Sequence, residues 1–96
     1  MKQFFGYRVL GDKEIKVEYY ILNSKNSYGI QIAKRDSSLS SIAVLNVSDN
    51  ESEAVYFASK CFQNITLPEN LPKEIEKLLK LKNMERGEYP KERYAI

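Results

Sequence analysis

Hydrophobic and polar residues alternate through the first half of the chain and then change period. Phe5, Tyr7 and Val9 alternate with Gly6 and Arg8. That two-residue period predicts a half-buried strand with the three apolar residues on its dry face. Gly11-Asp12-Lys13 signals a turn. Ile15, Val17, Tyr19 and Ile21 then alternate with Lys16, Glu18 and Tyr20, a strand with one wet and one dry face. After the loop from Asn23 to Ser27, Tyr28, Ile30 and Ile32 alternate with Gly29, Gln31 and Ala33 in a third strand. A glycine inside such a pattern marks a bulge or a close backbone approach, and Gly29 is expected to do one or the other. Asp36-Ser37-Ser38 breaks this strand, and residues 41–47 form a fourth. Its unbroken run Ala43-Val44-Leu45 leaves the facing open. Short loops favour hairpins, so the four strands are expected to form an antiparallel meander.

At Ser48 the period becomes helical. Ser48 and Asn50 are each followed three residues later by a glutamate, Glu51 and Glu53. This is the capping-box spacing, and Asp49, Glu51 and Glu53 place negative charge at the positive end of a helix. Ala54, Phe57, Ala58 and Cys61 share one helical face, with Val55 and Phe62 beside it. Residues 64–68 end this helix. A second begins near Asn70 as N-cap, with Pro72 tolerated in its first turn. Its apolar stripe is Leu71, Ile75, Leu78 and Leu79, and Gly87 and Pro90 bound it. The expected fold class is α+β, a four-stranded antiparallel meander followed by two amphipathic helices packed on one sheet face. Residues 1–84 make a single domain and residues 85–96 a charged, flexible tail.

Composition narrows the chemistry. The chain has 96 residues, 15 basic and 13 acidic, and no histidine. That length fits one domain. The surplus of +2 falls after residue 70, interleaved with glutamate, which reads as a solvated helix face rather than a phosphate-binding stripe. Without histidine the commonest general base and metal ligand is missing. One cysteine excludes an intrachain disulfide and a thiolate zinc site. Cys61 lies late on an apolar helical stripe, so a buried core thiol is favoured over a nucleophile. Capping explains Asp49, Glu51 and Glu53 without a divalent ion. The glycines are isolated and form no phosphate cradle. The expectation is a protein that is not an enzyme, with no catalytic residue, cofactor or metal. No apolar run reaches the ~18 residues of a membrane span, and the start Met1 to Arg8 is not a signal peptide. A cytoplasmic location and no membrane partner are expected.

Aromatic content is the remaining signal: seven Tyr, four Phe and no Trp. Phe4 and Tyr20 share the polar parity of their strands with Arg8, Lys16 and Arg35. Those five residues form the candidate interaction surface. Aromatics ringed by polar groups suit a protein partner or a second copy of the chain. The favoured function is thus a small interaction or regulatory protein. A sheet of aromatics and cations also suits nucleic-acid bases, but Glu18 shares the row. A further alternative is a mobile-element inhibitor that docks on a larger host machine.

The stretches Glu18-Tyr19-Tyr20-Ile21-Leu22 and Tyr28-Gly29-Ile30-Gln31-Ile32 resemble a family of short uncharacterised proteins from low-GC Gram-positive bacteria. Its pattern continues with an acidic-capped helix, a proline-containing connection and a Leu-rich helix. Here Asp49-Asn50-Glu51, Leu67-Pro68 and Leu71 to Leu79 correspond. The resemblance spans roughly residues 7–80. It implies an α+β fold in a bacterial cytosol, and it assigns no activity, cofactor or functional residue. The Pro72 helix start and the charged tail depart from the pattern.

Overall fold

Four strands run in antiparallel order, β1 (Lys2–Leu10), β2 (Ile15–Ser24), β3 (Ser27–Arg35) and β4 (Leu39–Ser48), and neighbours in sequence are neighbours in the sheet. Helix α1 (Glu51–Gln63) follows, then a 3-10 turn at Pro68–Asn70 that leads directly into α2 (Leu71–Glu85). This computed structural model describes residues 1–11, 15–36 and 39–85, with side chains through Leu81. Asp12 and Lys13 of the expected turn, Ser37-Ser38, Gly87, Pro90 and the tail from residue 86 onward lie outside the described residues.

The alternation in β2 and β3 builds the core. Tyr19 opposes Ile32 and Ile21 opposes Ile30, so these side chains project to one face together with Val17. They meet Ala54, Phe57, Ala58 and Cys61 of α1 and Leu71, Ile75 and Leu78 of α2 in a single buried cluster. Both helices therefore pack on the same sheet face, and the fold is the α+β meander that periodicity predicts. Tyr19 reaches through this layer, and its hydroxyl donates to the Thr66 carbonyl at 3.1 Å. Among the described residues no helix is long and apolar enough to cross a membrane.

Capping follows the local chemistry. Asn50 is the N-cap of α1, its side-chain oxygen accepting from the Ser52 and Glu53 backbone N–H groups. Ser48 supports it by accepting the Asn50 N–H at 3.0 Å and donating its hydroxyl to Glu53 at 2.6 Å. The start of α2 at Leu71 places Pro72 in its first turn and is preceded by a 3-10 turn. Asn70 is the last residue of the 3-10 turn, immediately before Leu71, and its N–H bonds to the Leu67 carbonyl at 2.9 Å. Such a turn satisfies backbone groups at a helix start that a cap otherwise serves.

Two bulges alter the strand facing. In β1, Phe4 opposes Tyr20 but Gly6 opposes Tyr19, so Phe5 is an extra residue. One extra residue reverses the parity of everything after it. Tyr7 and Val9 consequently stand on the face away from the helices, not on the dry face, and Arg8 turns toward the helices. The physical reason is Phe62 of α1. Its ring packs edge-on against Phe5 at 5.8 Å and Tyr19 at 5.5 Å, and it fills the space over Gly6, where a β-carbon would lie 3.0 Å from it. In β4 the register puts Ile42 and Val44 on the helix side and Ser41 and Ala43 on the other, which resolves its facing. Leu45, Asn46 and Val47 then bulge opposite Gly29, with Asn46 at φ 57°. Gly29 marks both a bulge and a close approach, since a β-carbon there would sit 2.6 Å from the Val44 carbonyl oxygen.

Candidate docking face of the sheet

Among the described residues nothing covers the sheet face opposite the helices, and its centre is Glu18. That side chain has little freedom. Its residue is 8% exposed although no described element lies over it. Its Oε1 accepts from Arg35 Nε at 2.8 Å and from the Tyr20 hydroxyl at 3.2 Å, and Lys16 Nζ lies 3.7 Å from Oε2. The cross-strand register explains the cluster. Lys16 opposes Arg35 across β2 and β3, and small Ala33 opposes Glu18, leaving Arg35 room to reach diagonally. The Arg35 hydrogen bond holds the Glu18 carboxyl below the ordinary glutamate range, against an opposing push from burial. Burial and then the Glu18 carboxylate push the Tyr20 hydroxyl upward.

Aromatic rings extend this cluster. Phe4 packs edge-on against Tyr20 at 5.6 Å. Lys2 Nζ stands 4.3 Å over the Tyr20 ring and Lys16 Nζ 4.6 Å over the Tyr7 ring. At one end of the same face a hollow of about 360 Å³ opens between Leu22 and Leu45, with Gly29 beneath and Asn23, Ser27 and Asn46 at its rim. The Ser27 hydroxyl donates to Asn46 Oδ1 at 2.7 Å and stiffens that rim.

Of the five residues that parity assigned to one surface, Phe4, Lys16, Tyr20 and Arg35 stand together on this face. Arg8 does not. Its guanidinium lies 4.2 Å over the Phe62 ring and its Nε donates to the Phe62 carbonyl at 3.1 Å. There it satisfies a carbonyl at the C-terminal end of α1, where a cation is favoured by the helix dipole. The structure adds Tyr7 and Val9 from β1 and Leu39 and Leu45 from β4, all exposed by half or more. Gly6, a glycine inside a strand pattern, was the one available signal of the β1 bulge that exposes the first two.

The other candidates are part of the scaffold. Cys61 is fully buried and its thiol is pushed up to about 11, chiefly by burial, so it holds its proton at neutral pH. Glu53 takes the Ser48 hydroxyl at the start of α1. Among the described residues no three His, Cys, Asp or Glu side chains form a metal-binding group.

No protein-family model, curated protein or solved structure matches the chain. The functional reading therefore rests on the chemistry of this face.

The Glu18 cluster has a pH signature. Its folded-state pKa is depressed, so its stabilisation is complete above the unfolded-state pKa and is lost as pH falls through the folded one. Urea midpoints of the wild-type protein are expected to hold steady from pH 7 to about 5 and to drop below the ordinary glutamate pKa of about 4.3. In Glu18→Gln the acid drop is expected to shrink. An unchanged drop would show that Glu18 is not held as an ion on this face.

Proposed function

We propose that the chain is a non-catalytic binding module that docks a protein partner on the sheet face opposite its helices. The observation that carries this reading is the make-up of that face. Phe4, Tyr7 and Val9 stand 52%, 52% and 54% exposed, and a paired Glu18 with its cations lies among them. Aromatic anchors within a polar surround are typical of the few residues that dominate interface energetics. On the outward rows of the four strands the ionised side chains are Lys2, Lys16 and Arg35 against Glu18 alone. Glu18 is already paired, so the face complements a partner with an acidic rim. The hollow at Gly29 suits one aliphatic or aromatic side chain from that partner. A cytoplasmic location belongs to the same reading, supported by a single, buried cysteine. An inhibitor docked on a larger machine would be one form of it.

Nucleic acid is the competing occupant. The aromatic and basic side chains would suit base stacking. Against it, lysines already lie over Tyr7 and Tyr20, and a carboxylate sits at the centre of the face.

The test is affinity capture from the source cell, comparing wild-type protein with Phe4→Glu and Tyr7→Glu. Both sites are half exposed, so the fold and its circular dichroism are expected to survive. The expected result is a partner held by wild-type protein and weakened about 30-fold by either variant, equivalent to the ~2 kcal/mol of one interface hot spot. Equal retention by all three proteins would overturn the reading. Binding of a single-stranded oligonucleotide that falls steeply with added salt would move the assignment to nucleic acid.

A further inference from the structure

We propose that β4 pairs antiparallel with β4 of a second copy of this chain, about a two-fold axis at Ile42, joining the two sheets edge to edge. β1 and β4 form the sheet edges. An edge strand presents a row of backbone N–H and C=O groups to which another strand can add, and proteins usually block it with charges, proline or bulges. β1 shows such blocking, with Lys2, Arg8 and the bulge at Phe5. β4 carries no charge, proline or glycine along residues 39–45, Leu-Ser-Ser-Ile-Ala-Val-Leu, and its bulge begins only at Leu45. Residues 39–44 run in register with β3, and the bulge comes only after them.

Among the described residues nothing covers residues 39–43 of this segment. Residues 39–43 are all exposed, including Ile42, 40% exposed although its register turns it toward the helix layer. A second copy meets no like charge here, and the order of side chains is self-complementary. About an axis at residue 42, Ile42 faces its own copy, Ser41 faces Ala43, and Leu39 faces Leu45. Leu39 and Leu45 are 59% and 65% exposed and lie on the same sheet face, so each covers the other. An axis at Ser41 would leave Leu45 beyond the start of the partner strand. An axis at Ala43 would set Leu39 against Val47, which is buried in the core. An axis between residues would oppose side chains on different faces, which an antiparallel ladder does not allow.

The two-fold makes residue 42 its own neighbour, and that supplies the test. Sedimentation equilibrium of the full chain is expected to show a concentration-dependent dimer of the 11.1 kDa protomer. Ile42→Lys and Ile42→Glu are each expected to be monomeric, because like charges then meet on the axis, and an equimolar mixture of the two is expected to restore the dimer. A wild-type monomer at ~1 mM, or variants that dimerise as wild type does, would overturn the proposal. So would monomeric variants whose mixture stays monomeric. A second variant guards against misfolding at residue 42. Leu39→Cys/Leu45→Cys changes only exposed side chains and is expected to form an intermolecular disulfide under mild oxidation, whereas Leu39→Cys alone is not. Absence of that crosslink would equally overturn the register. Phe4→Glu and Tyr7→Glu are expected to leave the dimer intact, so the edge and the docking face can fail independently.

Discussion

Phe57→Ala is expected to cost about 4 kcal/mol of stability, within the ~3–5 kcal/mol typical of a phenylalanine removed from a core. The residues α1 buries are Ala54, Phe57, Ala58 and Cys61. Phe57 is the one large side chain among them, and it is fully buried. Its neighbours on the stripe are too short to swing into the space it leaves, so the cavity stays open and its lining loses dispersion contacts. A chain of this length has a total stability of about 5–14 kcal/mol, so the change removes a large share of it. The thermal midpoint is expected to fall by roughly 15–30 °C. Phe57→Leu keeps most of the volume and is expected to cost no more than about 1.5 kcal/mol, which gives a measurable value if the alanine variant unfolds. Urea titrations of the three proteins supply the comparison. A loss below about 2 kcal/mol for Phe57→Ala would mean that α1 does not anchor to the sheet through this ring.

Gly29→Ala is expected to be the most damaging change of a single methyl group, at about 3 kcal/mol, the upper end for overpacking. The added β-carbon would meet the Val44 carbonyl oxygen at 2.6 Å and the Leu45 Cα at 3.1 Å. Both are backbone atoms, so no side-chain rotation relieves the clash, and β3 and β4 must separate at the bulge. Gly6 is the control. A β-carbon there meets the edge of the Phe62 ring at 3.0 Å, and a ring can tilt. Gly6→Ala is therefore expected to cost about 1 kcal/mol. Separation at Gly29 would also displace Leu45, which forms one wall of the hollow on the proposed docking face. Hydrogen exchange should show faster opening of β4 in Gly29→Ala while α1 stays protected. If alanine at residue 29 changes stability by less than about 0.5 kcal/mol, the two strands do not approach as closely as described.

These two residues show how differently the core and the proposed docking face were legible. Phe57 could be placed from its helical spacing to Ala54, Ala58 and Cys61, because that spacing is a local property. Gly29 could be flagged from its place in a strand, but its partner, the Val44 carbonyl, is brought there by a hairpin whose register no local pattern reveals. The outward sheet face was legible where β2 alternates. Lys16 and Tyr20 follow from that strand alone, and Arg35 follows from β3. The outward facing of Phe4 follows from parity because it precedes the β1 bulge. Arg8, Tyr7 and Val9 follow it and face opposite to what parity predicts, since one extra residue inverts a two-residue period.

The amino-acid sequence by itself determined the order and type of the elements, the dry faces of β2 and β3, the buried stripe of α1 and the cap at its start. Each depends on residues within a few positions of one another, where periodicity and short hydrogen bonds act. Only the tertiary structure decided the outward face of β1 and of β4, and with it which residues share the proposed docking surface. A bulge gives up ladder hydrogen bonds locally and persists because of packing elsewhere. In β1 that packing comes from the Phe62 ring on α1 lying over Phe5 and Gly6, and the Arg8 guanidinium follows that ring to the helix side.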